Sequence, residues 1–201
     1  IEKNIRNLSD AKNKDISELT VCLLDRPRHK KIIDQLIKLN VKLKLITDGD
    51  VSGALMVTNE KYNVDLFLGI GGGPEGVLAA CALDAYNCKF QGRFIFKTDD
   101  DIKRAKNMGI KDLDKKYNLN EIIKGDSIFC ATGITDGDLV KGVKIKDNKY
   151  TTETLVTHKS QNLVIGIMLY LRLHFIREIL SILTDIYIYK RCDHIRHYER
   201  E

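Results

Sequence analysis

One feature constrains the fold of this chain more than any other. From residue 19 to about residue 131, short apolar runs alternate with stretches of helical period. Residues 19–24 read as a buried strand, and 29–40 as a helix carrying Ile32, Ile33, Leu36, Ile37 and Leu39 at helical spacing. Residues 42–46 read as the next strand, 51–60 as a helix, and 65–70 as a third strand ended by Gly71-Gly72-Gly73-Pro74. An Ala-rich helix is expected at 75–86, a fourth strand at 90–96, a charged helix at 100–108 and a fifth strand at 127–131. Residues 143–145 and 152–157 flank Asp147-Asn148 as a hairpin. Such alternation implies an α/β fold, a largely parallel layered sheet with helices on its faces. Ligands of such sheets sit at the carboxyl ends of the strands.

Composition bounds the rest. A hydrophobic fraction of 43% in 201 residues is enough for a core, and 30% charged residues suit a soluble protein. The net charge of +5 comes from Lys interleaved with Asp and Glu, without a basic stripe backed by aromatics. That pattern is a solvated surface and speaks against a nucleic-acid partner. The chain begins at Ile1, without an initiating Met, as a fragment or processed product would, and residues 1–18 form a polar lead-in with no signal peptide. The five cysteines are odd in number and lack metal spacing; Cys22, Cys81 and Cys130 lie in apolar runs and read as small core residues. A reducing, cytoplasmic setting follows.

The main α/β domain is expected to cover 19–160. Beyond it the composition shifts: residues 161–201 hold half of all Arg and half of all Tyr, but one Lys and one of the 14 Gly. Residues 163–171 are apolar apart from Gly166. A membrane span needs roughly 20 apolar residues, so this run is expected to be an amphipathic or buried helix, not a membrane anchor, in an atypical apolar and basic tail, 161–201, whose origin as an extension, a fusion or a reading-frame artefact the sequence leaves open.

Four constellations each follow an expected strand. Asp25-Arg26-Pro27-Arg28-His29 places two Arg at a strand-to-helix turn, where guanidinium forks bind phosphate oxygens and a helix N-terminus adds N–H groups. Its alternative is a turn with two surface Arg. Thr47-Asp48-Gly49-Asp50 offers carboxylates to sugar hydroxyls or a cation, or else simply caps the next helix. The same tetrapeptide recurs as Thr135-Asp136-Gly137-Asp138 in a segment that leans towards a plain turn, and neither copy fits an EF-hand. Gly69-Ile70-Gly71-Gly72-Gly73-Pro74-Glu75-Gly76 satisfies G-x-G-x-x-G at Gly71, Gly73 and Gly76, with Asp99 at the distance of a ribose-binding acid. A dinucleotide-binding oxidoreductase domain is therefore one alternative. Glu75 argues against it, because a carboxylate there competes with a pyrophosphate for the helix N-terminus; it suits a divalent cation beside a phosphate, or an ordinary first-turn Glu.

In order and spacing, these segments resemble the class II fructose-1,6-bisphosphatases of the GlpX type. The matching strings are Leu24-Asp25-Arg26-Pro27-Arg28-His29, Leu45-Ile46-Thr47-Asp48-Gly49-Asp50-Val51-Ser52-Gly53-Ala54, Gly69 to Val77, and Ala131-Thr132-Gly133-Ile134-Thr135-Asp136-Gly137-Asp138-Leu139. The resemblance covers about 19–157 and implies the C-terminal part of the inositol-monophosphatase-like sugar phosphatase fold. It also implies hydrolysis of the 1-phosphate of fructose 1,6-bisphosphate to fructose 6-phosphate, with Mn²⁺ or Mg²⁺. On the same ground Arg26 and Arg28 would hold phosphate, with Pro27 between them in the substrate-binding turn, Asp48, Gly49 and Asp50 would contact the sugar, and Gly72 would approach substrate by its backbone. Glu75 would be the one metal ligand from this half. The family's Asp-Gly-Thr-Thr-type motif, its further metal carboxylates and the Thr that helps activate water are absent from this sequence, and a third Gly stands in Gly71-Gly72-Gly73 where Ala is more usual. The catalytic residues are thus expected outside this chain, and a non-catalytic sugar-phosphate-binding module is the remaining alternative. The sequence leaves the oligomeric state open, a homo-oligomer included.

Overall fold

The computed structural model describes residues 1–147, 149–160 and 163–172. The chain opens with helix α1 (Glu2–Lys12), whose Ile5 is fully buried. Strands β1 (Thr20–Leu24) and β2 (Lys42–Ile46) flank helix α2 (Lys30–Lys38). Helix α3 (Asp50–Leu55) leads through two short 3₁₀ turns to β3 (Leu66–Phe67) and then α4 (Gly73–Asp84). β1, β2 and β3 form a parallel sheet in the order β2-β1-β3, and all five residues of the central β1 are buried. An apolar run buried on both faces is what the middle of a covered parallel sheet requires.

The next elements are β4 (Gln91–Gly92), α5 (Asp99–Asn107), β5 (Tyr117–Asn118) and α6 (Leu119–Ile122), with β4 pairing antiparallel to β5. The last sheet holds β6 (Ile128–Thr132), β7 (Lys144–Lys146), β8 (Lys149–His158) and β9 (Leu163–Arg172). β8 is its spine, paired antiparallel with β6, β7 and β9.

Packing makes the layers. Ile5 of α1 and Leu36 of α2 meet Leu19, Val21 and Leu23 on one side of the parallel sheet. On the other side Cys22 packs with Met56 and Val64. Ala54 and Leu55 of α3 join Ala79, Ala82 and Leu83 of α4, and this helical layer rests on Phe129 and Leu155 of the antiparallel sheet. The order is therefore helix, sheet, helix, sheet. Gly53 allows the close fit of α3 on the parallel sheet, since a Cβ there would lie 2.6 Å from the Phe67 ring and 2.7 Å from Ile46 Cδ1.

The structure corrects several expectations. There are two main sheets, one parallel and one antiparallel, where a single largely parallel sheet was expected. The strand expected at 90–96 shrinks to two residues. Within the polar residues 1–18, α1 buries Ile5, with Ile1 and Leu8 half-buried beside it; burying Ile5 alone is worth about 2 kcal/mol. The apolar run at 163–171 is a strand, pairing with β8 over ten residues, because β-branched residues and a waiting strand edge outweigh a helix-compatible composition. The rest of the expected tail, 173–201, lies outside the described residues. Cys130 is also not a core residue: along β6 the side chains alternate, Phe129 inward, Ile128 and Cys130 outward. Among the described residues no helix is long and apolar enough to cross a membrane.

Candidate functional site

The carboxyl ends of β2, β1 and β3 lie side by side, and each is followed by one of the sequence motifs. After β1, Asp25 to Arg28 are all exposed, with Pro27 opening a short 3₁₀ turn into α2. After β2, Asp48 is 96% exposed and stands 4.0 Å from the Arg26 guanidinium, a pairing too open to be strong. Gly49 adopts φ +90, a left-handed conformation that glycine tolerates without strain, and Asp50 starts α3. Its carboxylate would be met at 3.3 Å by a Cβ on Gly71, so the second and third motifs touch here.

After β3, Gly72 caps α4 and the Glu75 carboxylate folds back over it, 2.3 Å from where a Gly72 Cβ would be. The Gly-rich loop and the arginine turn are also bonded to each other. Arg28 Nε–H donates to the Ile70 carbonyl, and the Ile70 N–H donates to Nε2 of His29 at 2.9 Å. Arg26, Arg28, Asp48, Gly49, Asp50, Gly72 and Glu75 thus lie on one rim, with exposed guanidinium and carboxylate groups around a helix N-terminus. His29 is the residue that motif reading passed over. Its signal was a histidine placed directly after the arginine turn, at the start of an amphipathic helix.

Two other constellations do not join this rim. In the second Thr-Asp-Gly-Asp copy, Asp136 Oδ1 accepts the Gly142 N–H at 2.9 Å and the Asp138 carbonyl accepts the Tyr62 hydroxyl. A Cβ on Gly133 would sit 2.2 Å from the Lys141 carbonyl oxygen, so this loop is a close backbone crossing. Asp126, His158 and Ser160 cluster at the end of the antiparallel sheet. Asp126 Oδ2 at 2.7 Å and Ser160 Oγ at 3.3 Å face the same imidazole nitrogen. A hydrolytic triad needs them on opposite nitrogens, so the cluster is a surface clasp. Its hydrogen bonds from Ser160 and His158 hold the Asp126 carboxyl down at about 2. A depression of about 320 Å³ lined by Ser9, Asp10, Asn13, Lys14, Asp15 and Glu18 contains none of the rim residues.

The topology also bears on the dinucleotide alternative. After α4, no described strand pairs in parallel beside β3 on its free edge; β4 pairs antiparallel with β5 instead. Asp99 opens α5 under a Thr98 cap in that separate unit. Among the described residues, the βαβ frame that gives G-x-G-x-x-G its meaning is missing.

Among the described residues no three His, Cys, Asp or Glu side chains are grouped to hold a metal ion. Divalent Mg²⁺ or Mn²⁺ takes several oxygen ligands, so the Glu75 carboxylate by itself would not make a site.

Arginines, carboxylates and a Gly-rich helix N-terminus meet at adjoining parallel strand ends of an α/β fold, the place where such folds hold their ligands. The model of the bacterial, glpX-encoded fructose-1,6-bisphosphatase family matches residues 1–168, and this chain belongs to that family. The match begins at residue 1, so it takes in α1 as well as the 19–157 span of the motif resemblance. A "D-fructose 1,6-bisphosphatase class 2/sedoheptulose 1,7-bisphosphatase" from Trichodesmium erythraeum (strain IMS101) is 38% identical over 167 residues, 77% of this chain and 48% of its own length. Relatives of the same name from Synechococcus sp. (strain JA-2-3B'a(2-13)) and Synechocystis sp. (strain ATCC 27184 / PCC 6803 / Kazusa) are 38% and 37% identical, with the same coverage. The chain thus spans about half the length of the curated relatives it matches.

Proposed function

We propose that this chain is the substrate-binding, C-terminal half of a metal-dependent phosphatase that converts fructose 1,6-bisphosphate to fructose 6-phosphate. The observation that carries the proposal is the convergence of three motif loops on one rim of the parallel sheet. Arg26 and Arg28 hold a phosphate: guanidinium forks match its oxygens, and Arg28, with Nε engaged by Ile70, keeps its terminal nitrogens for the ligand. Pro27 fixes the turn between them. Gly72, free of a side chain, lets the backbone come close to the ligand beside Glu75. Asp48 and Asp50, set by Gly49, accept hydrogen bonds from the sugar hydroxyls.

Glu75 faces the ligand as one carboxylate towards Mn²⁺ or Mg²⁺; a bound cation would neutralise phosphoryl charge, and the remaining ligands come from outside this chain. The open apolar face of the antiparallel sheet, with Ile128 57%, Ile165 38% and Ile167 37% exposed, supports a further layer of protein there in the complete enzyme. A cytoplasmic setting, read from the cysteine pattern, goes with this proposal. The printed name of the relatives adds sedoheptulose 1,7-bisphosphate as a second ligand to test.

The test is calorimetric titration of the 201-residue chain with fructose 1,6-bisphosphate, fructose 6-phosphate and NAD. Saturable binding of the bisphosphate, weakened about tenfold or more by Arg26→Ala at unchanged melting temperature, is expected. Arg28→Ala weakens binding and also loosens the Gly-rich loop. Binding of NAD alone, or bisphosphate affinity unchanged in both Arg variants, would overturn the proposal.

A further inference from the structure

We infer that His29 is a positioning residue: as the Nδ1–H tautomer it locks the Gly-rich loop to the arginine turn, so that the substrate rim is assembled before ligand arrives. This rests on the substrate-binding role proposed above, but the lock itself is a matter of geometry. His29 is fully buried at the start of α2, while its neighbours Arg28 and Lys30 are exposed.

Both imidazole nitrogens are engaged. Nδ1 lies 2.7 Å from the Leu24 carbonyl, at the end of β1, and Nε2 lies 2.9 Å from the Ile70 nitrogen, in the loop after β3. A backbone N–H can only donate. Nε2 must therefore present its lone pair, and the ring proton must sit on Nδ1, donated to Leu24. The Ile70 carbonyl, 3.3 Å from Nε2, is then left without a proton from the ring, and Arg28 Nε–H supplies one instead. Adjacent residues 28 and 29 thus satisfy both polar groups of Ile70.

The consequence is positional. Gly71 and Gly72 follow Ile70 directly, and Arg26 and Arg28 lie within three residues of His29. The imidazole is a rigid spacer that sets the distance between the main chain of the Gly-rich loop and the guanidinium groups. A ligand bridging the two meets a preformed arrangement and does not bear the cost of ordering it. Without an acceptor at Nε2, the Ile70 N–H is left without a partner and the loop moves to find one.

Two conservative variants separate the halves of the lock. In His29→Asn the side-chain amide can still reach Leu24 but falls short of Ile70. In His29→Gln the longer amide can still accept from Ile70. Three readouts apply: the imidazole ¹⁵N spectrum of the wild-type chain, hydrogen exchange at the Ile70 amide, and calorimetric affinity for fructose 1,6-bisphosphate beside melting temperature. The spectrum should show protonation at Nδ1. The Ile70 amide should exchange at least about tenfold faster in His29→Asn, with near wild-type protection kept in His29→Gln. Bisphosphate affinity should fall about tenfold in His29→Asn and be largely restored in His29→Gln, even where both variants melt earlier.

A proton on Nε2, unchanged Ile70 exchange in His29→Asn, or affinities that track melting temperature equally in both variants would overturn the inference. If the wild-type chain binds no bisphosphate, the substrate-binding reading fails, and the tautomer and the Ile70 exchange still decide whether the lock exists.

Discussion

Replacing Asp65 by Asn should cost the fold about 2 kcal/mol at neutral pH and flatten its acid denaturation. The carboxylate, 5% exposed, lies just before β3 and ties the N-terminal helix to the parallel sheet. It accepts the Thr20 N–H at 2.9 Å, and its other oxygen meets Lys12 at 2.9 Å and Lys14 at 3.0 Å. Burial pushes its pKa up, but the Thr20 N–H and the two ammonium groups outweigh burial and bring it from 3.8 down to about 2. A difference of that size between folded and unfolded chains is worth roughly 2.5 kcal/mol. The sign follows from the depressed value: the contribution is complete above the unfolded carboxyl pKa near 4 and is lost as pH falls towards 2. Asn keeps an acceptor for Thr20 but carries no charge, so the variant should lose the Lys12 and Lys14 terms at every pH. Asp126 titrates in the same window in both proteins, so the difference between their curves isolates Asp65. Urea unfolding from pH 2 to pH 7 measures it. Equal stability at pH 7, or parallel pH curves for the two proteins, would refute the argument and detach α1 from the sheet.

The close contact of α3 with the parallel sheet predicts that Gly53→Ala destabilises the chain by about 1–3 kcal/mol, since the new methyl would overlap the Phe67 ring and Ile46; thermal unfolding reads this directly. Deleting 161–201 removes β9 and strips β8 of its partner along one whole edge, so the truncated chain should melt earlier and aggregate at lower concentration in light scattering. A truncation with unchanged melting and solubility would return β9 to the status of an appendage.

The parallel half of the fold was readable because its signals are local. β2 was placed at its observed bounds, and β1, α2, α4 and α5 fall within a residue or two, since each buried run is bracketed by helical spacing or glycine. The antiparallel half was less readable. β6 gives an apolar run of the same length as β1, and nothing in five residues tells which sheet will take it or that Cys130 will point outward. β9 was misread because its apolar content suits a helix equally well; only the long edge of β8 decides the matter. The site was legible as motifs and not as contacts. That Arg26 faces Asp48, and that Asp50 lies against Gly71, depends on the strand order β2-β1-β3, which sequence spacing does not encode. His29 was missed for a related reason: a histidine beside two arginines draws attention to charge, while its contribution comes from burial and two hydrogen bonds.

The central proposal is that this chain binds substrate and does not hydrolyse it by itself, because Glu75 is a single carboxylate and Mg²⁺ or Mn²⁺ is held by several oxygen ligands. Catalysis by a metal-activated water needs a cation held in a defined position, and one carboxylate does not define it. The direct test is phosphate release from fructose 1,6-bisphosphate by the purified 201-residue chain with Mn²⁺ present. No release above the uncatalysed background, alongside saturable binding of the bisphosphate, is the expected result. Turnover near that of the full-length relatives, abolished by Glu75→Ala, would contradict the account and show this half to be catalytically sufficient.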